Sequence, residues 1–407
     1  MESERPVFLL LGGNILNSGI VAKFKHAGWR VVVVDWNESP ALTGDRHYRV
    51  DVKDARAIMD ALEQDGTIEK VRFAYSSIDL AVEAVSIINR RIGLRVLTGE
   101  ALRNVTSKGA MTTRWREAGL LNRLSAGYEA YDPAIESLAS EMDVIVKPDN
   151  SASSRGITIV SQGAGCECVR AAFEKAKGEA TNKRVVVEEF VSGTEYTVEM
   201  LGDGAGHVAV YAVSKKAHTD NTFKNKIAIK LHYNVLAADK QQKIAEFGAR
   251  CYRALGLTNS LGHLEVLEKA DGTLSPVEIG ARSSGFIASD LVDAASGKNY
   301  LFDLIDVHHG GNVASGLVAD TGVSSMYYFY DLPSGKTVRT PHSLLDYLDP
   351  AISSRFSERA RLVQGFLVPA ISNDNERLGI EVLVGPKAIM TEEHVLNAER
   401  QMIAAMF

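Results

Sequence analysis

The chain has 407 residues, 45% hydrophobic and 24% charged, a globular balance with enough apolar surface for two or three domains. A formal net charge of −6 offers no basic footprint for nucleic acid or an anionic membrane, and no apolar run approaches the roughly 20 residues of a spanning helix. The three cysteines, Cys166, Cys168 and Cys251, fit a reduced compartment rather than a disulfide framework, and the acidic start Met1-Glu-Ser-Glu-Arg-Pro6 does not read as a secretory signal, so a cytoplasmic location is expected.

The run Val7-Phe-Leu-Leu-Leu-Gly12 predicts a buried parallel strand, followed by a helix from about Ser18 to Ala27. Arg30-Val-Val-Val-Val-Asp35 predicts a second strand, 55–62 a helix, 71–75 a strand and 80–92 a helix. Strands alternating with helices indicate a doubly wound parallel sheet, assigned to residues 1–105. Helical stretches near 100–104 and 108–119 lead out of it. From about 144 the pattern changes to strands at 144–148, 156–160, 185–191, 196–201 and 208–213, with covering helices at 165–177 and 238–255. Strands at 261–267 and 274–279 flank the hairpin signal Ala270-Asp-Gly272. This middle part reads as α+β with antiparallel sheets, and residues from about 310 onward mix short strands and helices.

Several segments carry candidate chemistry. Gly12-Gly-Asn-Ile-Leu-Asn-Ser-Gly19, with Asp35 after the second strand, invites a dinucleotide reading, but the G-x-G-x-x-G spacing is absent and a tight strand-to-helix turn explains it equally. Cys166 and Cys168 lack the second ligand pair of a structural zinc site and open a helical pattern. In Val144-Ile-Val-Lys147-Pro-Asp-Asn-Ser151-Ala-Ser153-Ser154-Arg-Gly156, a strand presents a lysine and small residues follow. Such a loop can bring backbone N–H groups close to an anion, although an exposed lysine on a hairpin fits too. In Val185-Val-Val-Glu188-Glu-Phe190-Val191-Ser-Gly-Thr-Glu195, acids interrupt an apolar strand. They suit adenine and ribose donors, or a solvated hairpin end. Glu265 and Glu278 fall opposite each other across a predicted hairpin and suit Mg²⁺, with Arg282 four residues beyond for an oxyanion; a solvated acid pair is the alternative. The loop 214–230 holds five lysines and could close over an anion. Ser76-Ser-Ile-Asp79 follows a parallel strand, where ligands gather, and could equally cap a helix.

The order of these segments resembles the ATP-grasp superfamily, in particular its carboxylate–amine ligases such as the bacterial L-amino-acid (dipeptide) ligases. The likeness runs from Val7 to about Ile305. It implies an ATP-grasp domain over 106–310, with a nucleotide-lid part (108–190) and a Mg²⁺/catalytic part (191–310), and a small C-terminal subdomain over 311–407. By resemblance, Lys108 and Lys147 are nucleotide lysines, and Ser151, Ser153, Ser154 and Gly156 belong to the loop that closes over the phosphates. Glu188 meets adenine with the backbone of Phe190 or Val191, Glu195 binds ribose, and Glu265 and Glu278 hold Mg²⁺ (or Mn²⁺). Arg282 and Lys147 act in catalysis, while His263, Ser76 and Asp79 are substrate candidates. One departure stands out: many relatives carry Glu-x-Asn-x-Arg, whereas here the string is Glu278-Ile-Gly280-Ala-Arg282, without the asparagine ligand.

The resemblance implies an ATP- and Mg²⁺-dependent ligase joining a small-molecule carboxylate and an amine, amino acids among the candidates, through an acyl phosphate with release of ADP. It allows a homodimer, and it gives no nucleic-acid or membrane partner. The rivals are a carboxylating or formate-activating ATP-grasp enzyme, a non-catalytic ATP-binding relative, and a nicotinamide oxidoreductase using Gly12–Gly19.

Overall fold

A computed structural model describes residues 5–151, 155–219, 227–285, 288–371 and 373–407. Strands β1 (Val7–Leu11), β2 (Arg30–Asp35), β3 (Arg46–Arg49) and β4 (Val71–Tyr75) form a parallel sheet in the order β3-β2-β1-β4. Every β1 side chain is buried, as expected for a continuous apolar run covered on both faces by α1 (Ser18–His26), α2 (Ala55–Glu63) and α3 (Val82–Arg91). β3 escapes sequence reading because Arg46-His-Tyr-Arg49 is a half-exposed edge strand with no apolar run.

The glycine-rich turn after β1 is self-contained. Gly12 adopts φ +103°, a region that favours glycine, and Asp35 Oδ2 accepts from the Gly13 N–H at 2.8 Å. The other Asp35 oxygen accepts from the Asn37 backbone and side chain at 2.8 and 2.7 Å. The acid that would have to face a ribose in the dinucleotide reading is thus occupied with the turn itself.

Helices α4 (Gly99–Thr106) and α5 (Lys108–Glu117) lead to a second sheet of β5 (Ser125–Tyr128), β6 (Val144–Pro148), β7 (Thr158–Val160) and β8 (Val185–Glu189), antiparallel in the order β5-β8-β6-β7. Helices α6 (Ala134–Glu141) and α7 (Cys166–Glu179) cover it through Ile135, Val169 and Phe173. Gly156, leading into β7, has φ +74°, and a Cβ there would lie 2.8 Å from Pro148.

The third sheet has nine strands: β9 (Thr194–Gly202), β10 (Val208–His218), β11 (Ala228–Tyr233), β12 (Ser260–Glu268), β13 (Leu274–Gly280), β14 (Gly316–Leu317), β15 (Val323–Tyr330), β16 (Ser353–Glu358) and β17 (Leu378–Pro386). Its order is β13-β12-β9-β10-β11-β15-β17-β16, with β14 beside β10. Helix α8 (Ala238–Ala254) packs on Tyr196, Val198, Met200, Leu264 and Val266. The period-two alternation then sends Glu195, Thr197 and Glu199 to the opposite face. Helices α9 (Ala288–Ser296) and α10 (Tyr300–His308) join this sheet to the N-terminal one through a core that includes Phe24, Phe73, Leu291 and Tyr300. The C-terminal region, least legible in the sequence, extends the same sheet with β15, β16 and β17 and has its own core, which includes Tyr328, Leu383 and Met402 of α11 (Glu392–Met406). No helix among the described residues is long and apolar enough to cross a membrane.

Candidate active site

Lys108 is the first residue of α5, capped by the Ser107 hydroxyl, which accepts from the Ala110 N–H. Asp149, just beyond β6, anchors this helix start. It accepts from Ser107 Oγ at 2.9 Å and the Gly109 N–H at 2.7 Å, and its carbonyl accepts from the Lys108 N–H at 3.0 Å. So fixed, Lys108 Nζ donates to the Ser151 carbonyl and to Glu278 Oε1, both at 3.0 Å. Burial acts to lower the Lys108 pKa, but Glu278, with Asp79 and Asp149, outweighs it and holds the ammonium above its usual range. A cavity of about 230 Å³ opens here, its walls including Asp79, Lys108, Asp149, Ser151 and Glu278.

Lys147 lies deeper. Its Nζ stands 3.0 Å from Glu188 Oε2, and the same oxygen accepts from Arg123 Nε and Nη2 at 3.1 and 3.0 Å. Ser125 Oγ donates to the other oxygen at 3.2 Å. Burial pushes Lys147 down, opposed by Glu188 and aided by the Arg123 and Lys108 charges. Burial would raise Glu188, but Lys147 and Arg123 hold it below the usual carboxylate range. Both Glu188 oxygens already have protein partners, so an adenine amino group would have to share them. Phe190 donates its N–H to the Asp143 carbonyl at 2.9 Å, which leaves that N–H unavailable and passes the adenine-edge expectation to Val191.

Glu265 on β12 stands directly opposite Glu278 on β13, as the hairpin signal predicts, and opposite Thr197 on β9. Residues paired this way share a face. Lys216 of β10 joins two expected sites, its Nζ lying 2.8 Å from Glu265 Oε1 and 3.1 Å from Glu195 Oε2. His218 Nε2 is 3.4 Å from Glu195. Burial, the largest single effect, raises both acids, but the Lys216 charge together with His218 beside Glu195 and His263 beside Glu265 outweighs it and holds them low. The expected lysine-rich loop 214–230 is therefore corrected: Lys215 and Lys216 lie on β10 and Lys230 on β11, within the sheet. Lys215 and Lys230 pair with Glu392 and Glu399 of α11 rather than facing the cleft. Residues 220–226 of that segment, and Ser153 and Ser154 of the expected phosphate loop, lie outside the described residues.

Arg282, two residues past β13, turns toward the N-terminal sheet. Its Nε donates to Asp79 Oδ1 at 2.6 Å, its Nη2 to Asp79 Oδ2, and its Nη1 to the Ser283 carbonyl at 2.7 Å. Burial would raise Asp79, but Arg282 holds its carboxyl low. Asp79 thus reaches the site as the partner of Arg282. Ser76 is committed to its own turn: its hydroxyl donates to the Leu11 carbonyl at 2.7 Å and accepts from the Ile78 N–H at 3.1 Å. His263 faces Gly280 on one side and Glu199 on the other, with Nδ1 2.7 Å from Glu199 Oε1. Glu199 is fully buried and also accepts from Tyr233 OH at 2.9 Å.

Could these groups hold a metal? Among the described residues no group of three or more His, Cys, Asp or Glu converges as a cage, and the exposed Cys166 and Cys168 sit in the first turn of α7. Mg²⁺ does not need a cage, because it binds through one or two carboxylates plus substrate phosphates. The facing pair Glu265 and Glu278 fits that requirement. The sequence reading missed Arg123, Asp149 and Glu199. Arg123 sits in no recognised pattern, Asp149 lies within the Lys147–Ser151 segment without a role of its own there, and Glu199 shares the period-two face of Glu195 and could have been found from it.

Residues 140–290 match the ATP-grasp domain family. A D-alanine–D-alanine ligase from Cupriavidus taiwanensis is 29% identical over 197 residues, 46% of this chain and 58% of that relative, so the chain spans little more than half of it. An L-amino acid ligase from Bacillus licheniformis shares the fold with a TM-score of 0.73 at 16% identity, covering 99% of this chain and 98% of that one. Biotin carboxylase from Campylobacter jejuni, solved as a beta-gamma-ATP complex, gives a TM-score of 0.68 at 16% identity, covering 100% and 93%. A parallel N-terminal sheet, a small antiparallel sheet and a long sheet bearing facing acids accompany this match, so residues 140–290 are similar to the ATP-grasp domain and the whole chain shares the fold of the ligase and carboxylase structures.

Proposed function

We propose that the protein is an ATP- and Mg²⁺-dependent ligase that joins a carboxylate to an amine. The carboxylate takes the γ-phosphoryl group of ATP, giving an acyl phosphate and ADP. The amine then attacks the acyl carbon and phosphate leaves. The observation that carries this reading is the Lys108–Glu278 pair spanning an open cleft, with Glu265 facing Glu278 on the neighbouring strand. Both partners can exchange each other for a ligand, the lysine for phosphate oxygens and the acid for a cation.

Phosphoryl transfer asks the protein for positioning and charge neutralisation more than for covalent chemistry. Lys108 and Lys147 receive the phosphates, Ser151 and Gly156 flank them, Glu188 and Val191 face adenine, and Glu195 faces ribose. Glu265 and Glu278 would hold Mg²⁺, which when bound neutralises charge on the transferring group. Arg282 steadies the phosphoryl or acyl-phosphate oxygens. The ligase relatives suggest amino acids for acid and amine, and the biotin carboxylase likeness keeps bicarbonate as a second acid. The test is nucleotide release from ATP and Mg²⁺ with amino acids and other small carboxylates, singly and in pairs, and with bicarbonate or formate. ADP that needs both an acid and an amine is expected. AMP would overturn the mechanism, and ADP released only with bicarbonate or formate would move the protein to the carboxylating branch.

A further inference from the structure

We propose that Asp79 is the positioning residue of Arg282, and that position 280 is glycine because this ion pair occupies the space above it. Asp79 opens a short 3₁₀ turn after β4, whereas Arg282 follows β13, so the pair ties the N-terminal sheet to the catalytic face. A guanidinium carries five N–H donors in a fixed fork. Asp79 takes one on Nε and one on Nη2, and the Ser283 carbonyl takes one on Nη1. Tyr75 OH in turn bonds Ser283 Oγ, so Ser283 is itself held from β4. Among the described residues this leaves one N–H on each terminal nitrogen, the end of the fork that can take two oxygens of a phosphoryl or carboxylate group. The carboxylate thereby selects which edge of Arg282 is offered.

Gly280 supports the same conclusion independently. Its φ is not in the left-handed region, so its backbone does not call for glycine. A Cβ there would lie 3.0 Å from Asp79 Oδ1, 3.2 Å from Arg282 Cγ and 3.3 Å from Arg282 Cζ. For the asparagine that many relatives carry here, Asp79 and Arg282 would have to give by a few tenths of an ångström around the Cβ alone. The missing side chain is the counterpart of a charge pair supplied across two domains.

The role of the offered edge rests on the ligase reading, but the pair itself does not. Asp79→Asn is expected to lower turnover with acid and amine on the order of a hundredfold. The KM for ATP should stay within about twofold, since only the catalytic interaction is lost. Asp79→Glu restores part of the rate. Gly280→Ala lowers turnover in the same direction, and combining it with Asp79→Asn costs less than the product of the two, because both disturb one contact. Native turnover in Asp79→Asn, or costs that simply multiply, would overturn the proposal. A second arm uses no catalysis: melting shifts of Asp79→Asn, Arg282→Gln and the double variant should be non-additive, and additive shifts would overturn the pair. If the native protein releases no ADP with any acid, the ligase reading fails while this second arm still decides the clamp.

Discussion

Two clusters in this protein use the same chemistry to opposite ends. In Arg123–Glu188–Lys147 and in Lys108–Glu278 a lysine meets a glutamate at 3.0 Å. The first is sealed, with Glu188 only 2% exposed and its cations 4% and 5%. In the second, Glu278 is 37% exposed while Lys108 is 9%. A sealed cluster must keep its charges matched, because a lone buried charge is costly. It therefore fixes the four-stranded sheet against the start of β13, where Arg123 also donates to Ser275 and to the Pro276 carbonyl, both at 2.7 Å. The half-open pair has solvent as an alternative partner, so its groups can be handed to a ligand. Burial, more than residue type, separates the two: the sealed cluster can meet a ligand only by sharing partners it already holds, whereas the half-open pair can release them.

Substitutions in each cluster should separate along that line. Glu278→Gln is expected to reduce turnover between a hundredfold and a thousandfold, about 3–4 kcal/mol of transition-state stabilisation, with an unchanged melting temperature. A variant that turns over normally would break the comparison on its open side. Arg123→Met should instead lower stability by about 2–3 kcal/mol, less than the loss of an entire buried pair because Lys147 remains, and denaturant unfolding reads it directly.

Acid pH should act on the sealed and shared acids together. Glu188, Glu195 and Glu265 are all held below their ordinary value of 4.5. Depressed carboxyl pKa values contribute stability that is present above the unfolded pKa and lost as pH falls through the folded one. Thermal stability should therefore be flat down to about pH 5.5 and fall by about 1–2 kcal/mol toward pH 4, with a shallower fall in Arg123→Met. The smallest effect belongs to Asp35→Asn in the N-terminal turn, where the loss of a satisfied acceptor should cost about 1 kcal/mol of stability and leave ATP affinity unchanged. Weakened nucleotide binding in that variant would revive a cofactor role for the Gly12–Gly19 turn.

Much of this arrangement is legible in the sequence. β1, β2 and β4 show as apolar runs, and the turn Ala270-Asp-Gly272 places Glu265 opposite Glu278, because a hairpin converts sequence spacing into register. Lys216 was visible only as one of several lysines, since its selection depends on β10 lying beside β9 rather than forming a loop. Arg123 and Asp79 were beyond local reasoning. Arg123 meets Ser275 across 152 residues and Asp79 meets Arg282 across 203, and such contacts follow from how the sheets dock. The same limit hid that Asp79 and Arg282 border the space above Gly280.

The central claim, that the acid is phosphorylated in the cleft between Lys108 and Glu278, is tested most directly by an oxygen label. With an acid that supports ADP release, ¹⁸O in its carboxylate should appear as one ¹⁸O atom in the released inorganic phosphate, because the acyl phosphate breaks at its carbon–oxygen bond. Label recovered in AMP, or phosphate that carries no ¹⁸O while the amide forms, would contradict the account.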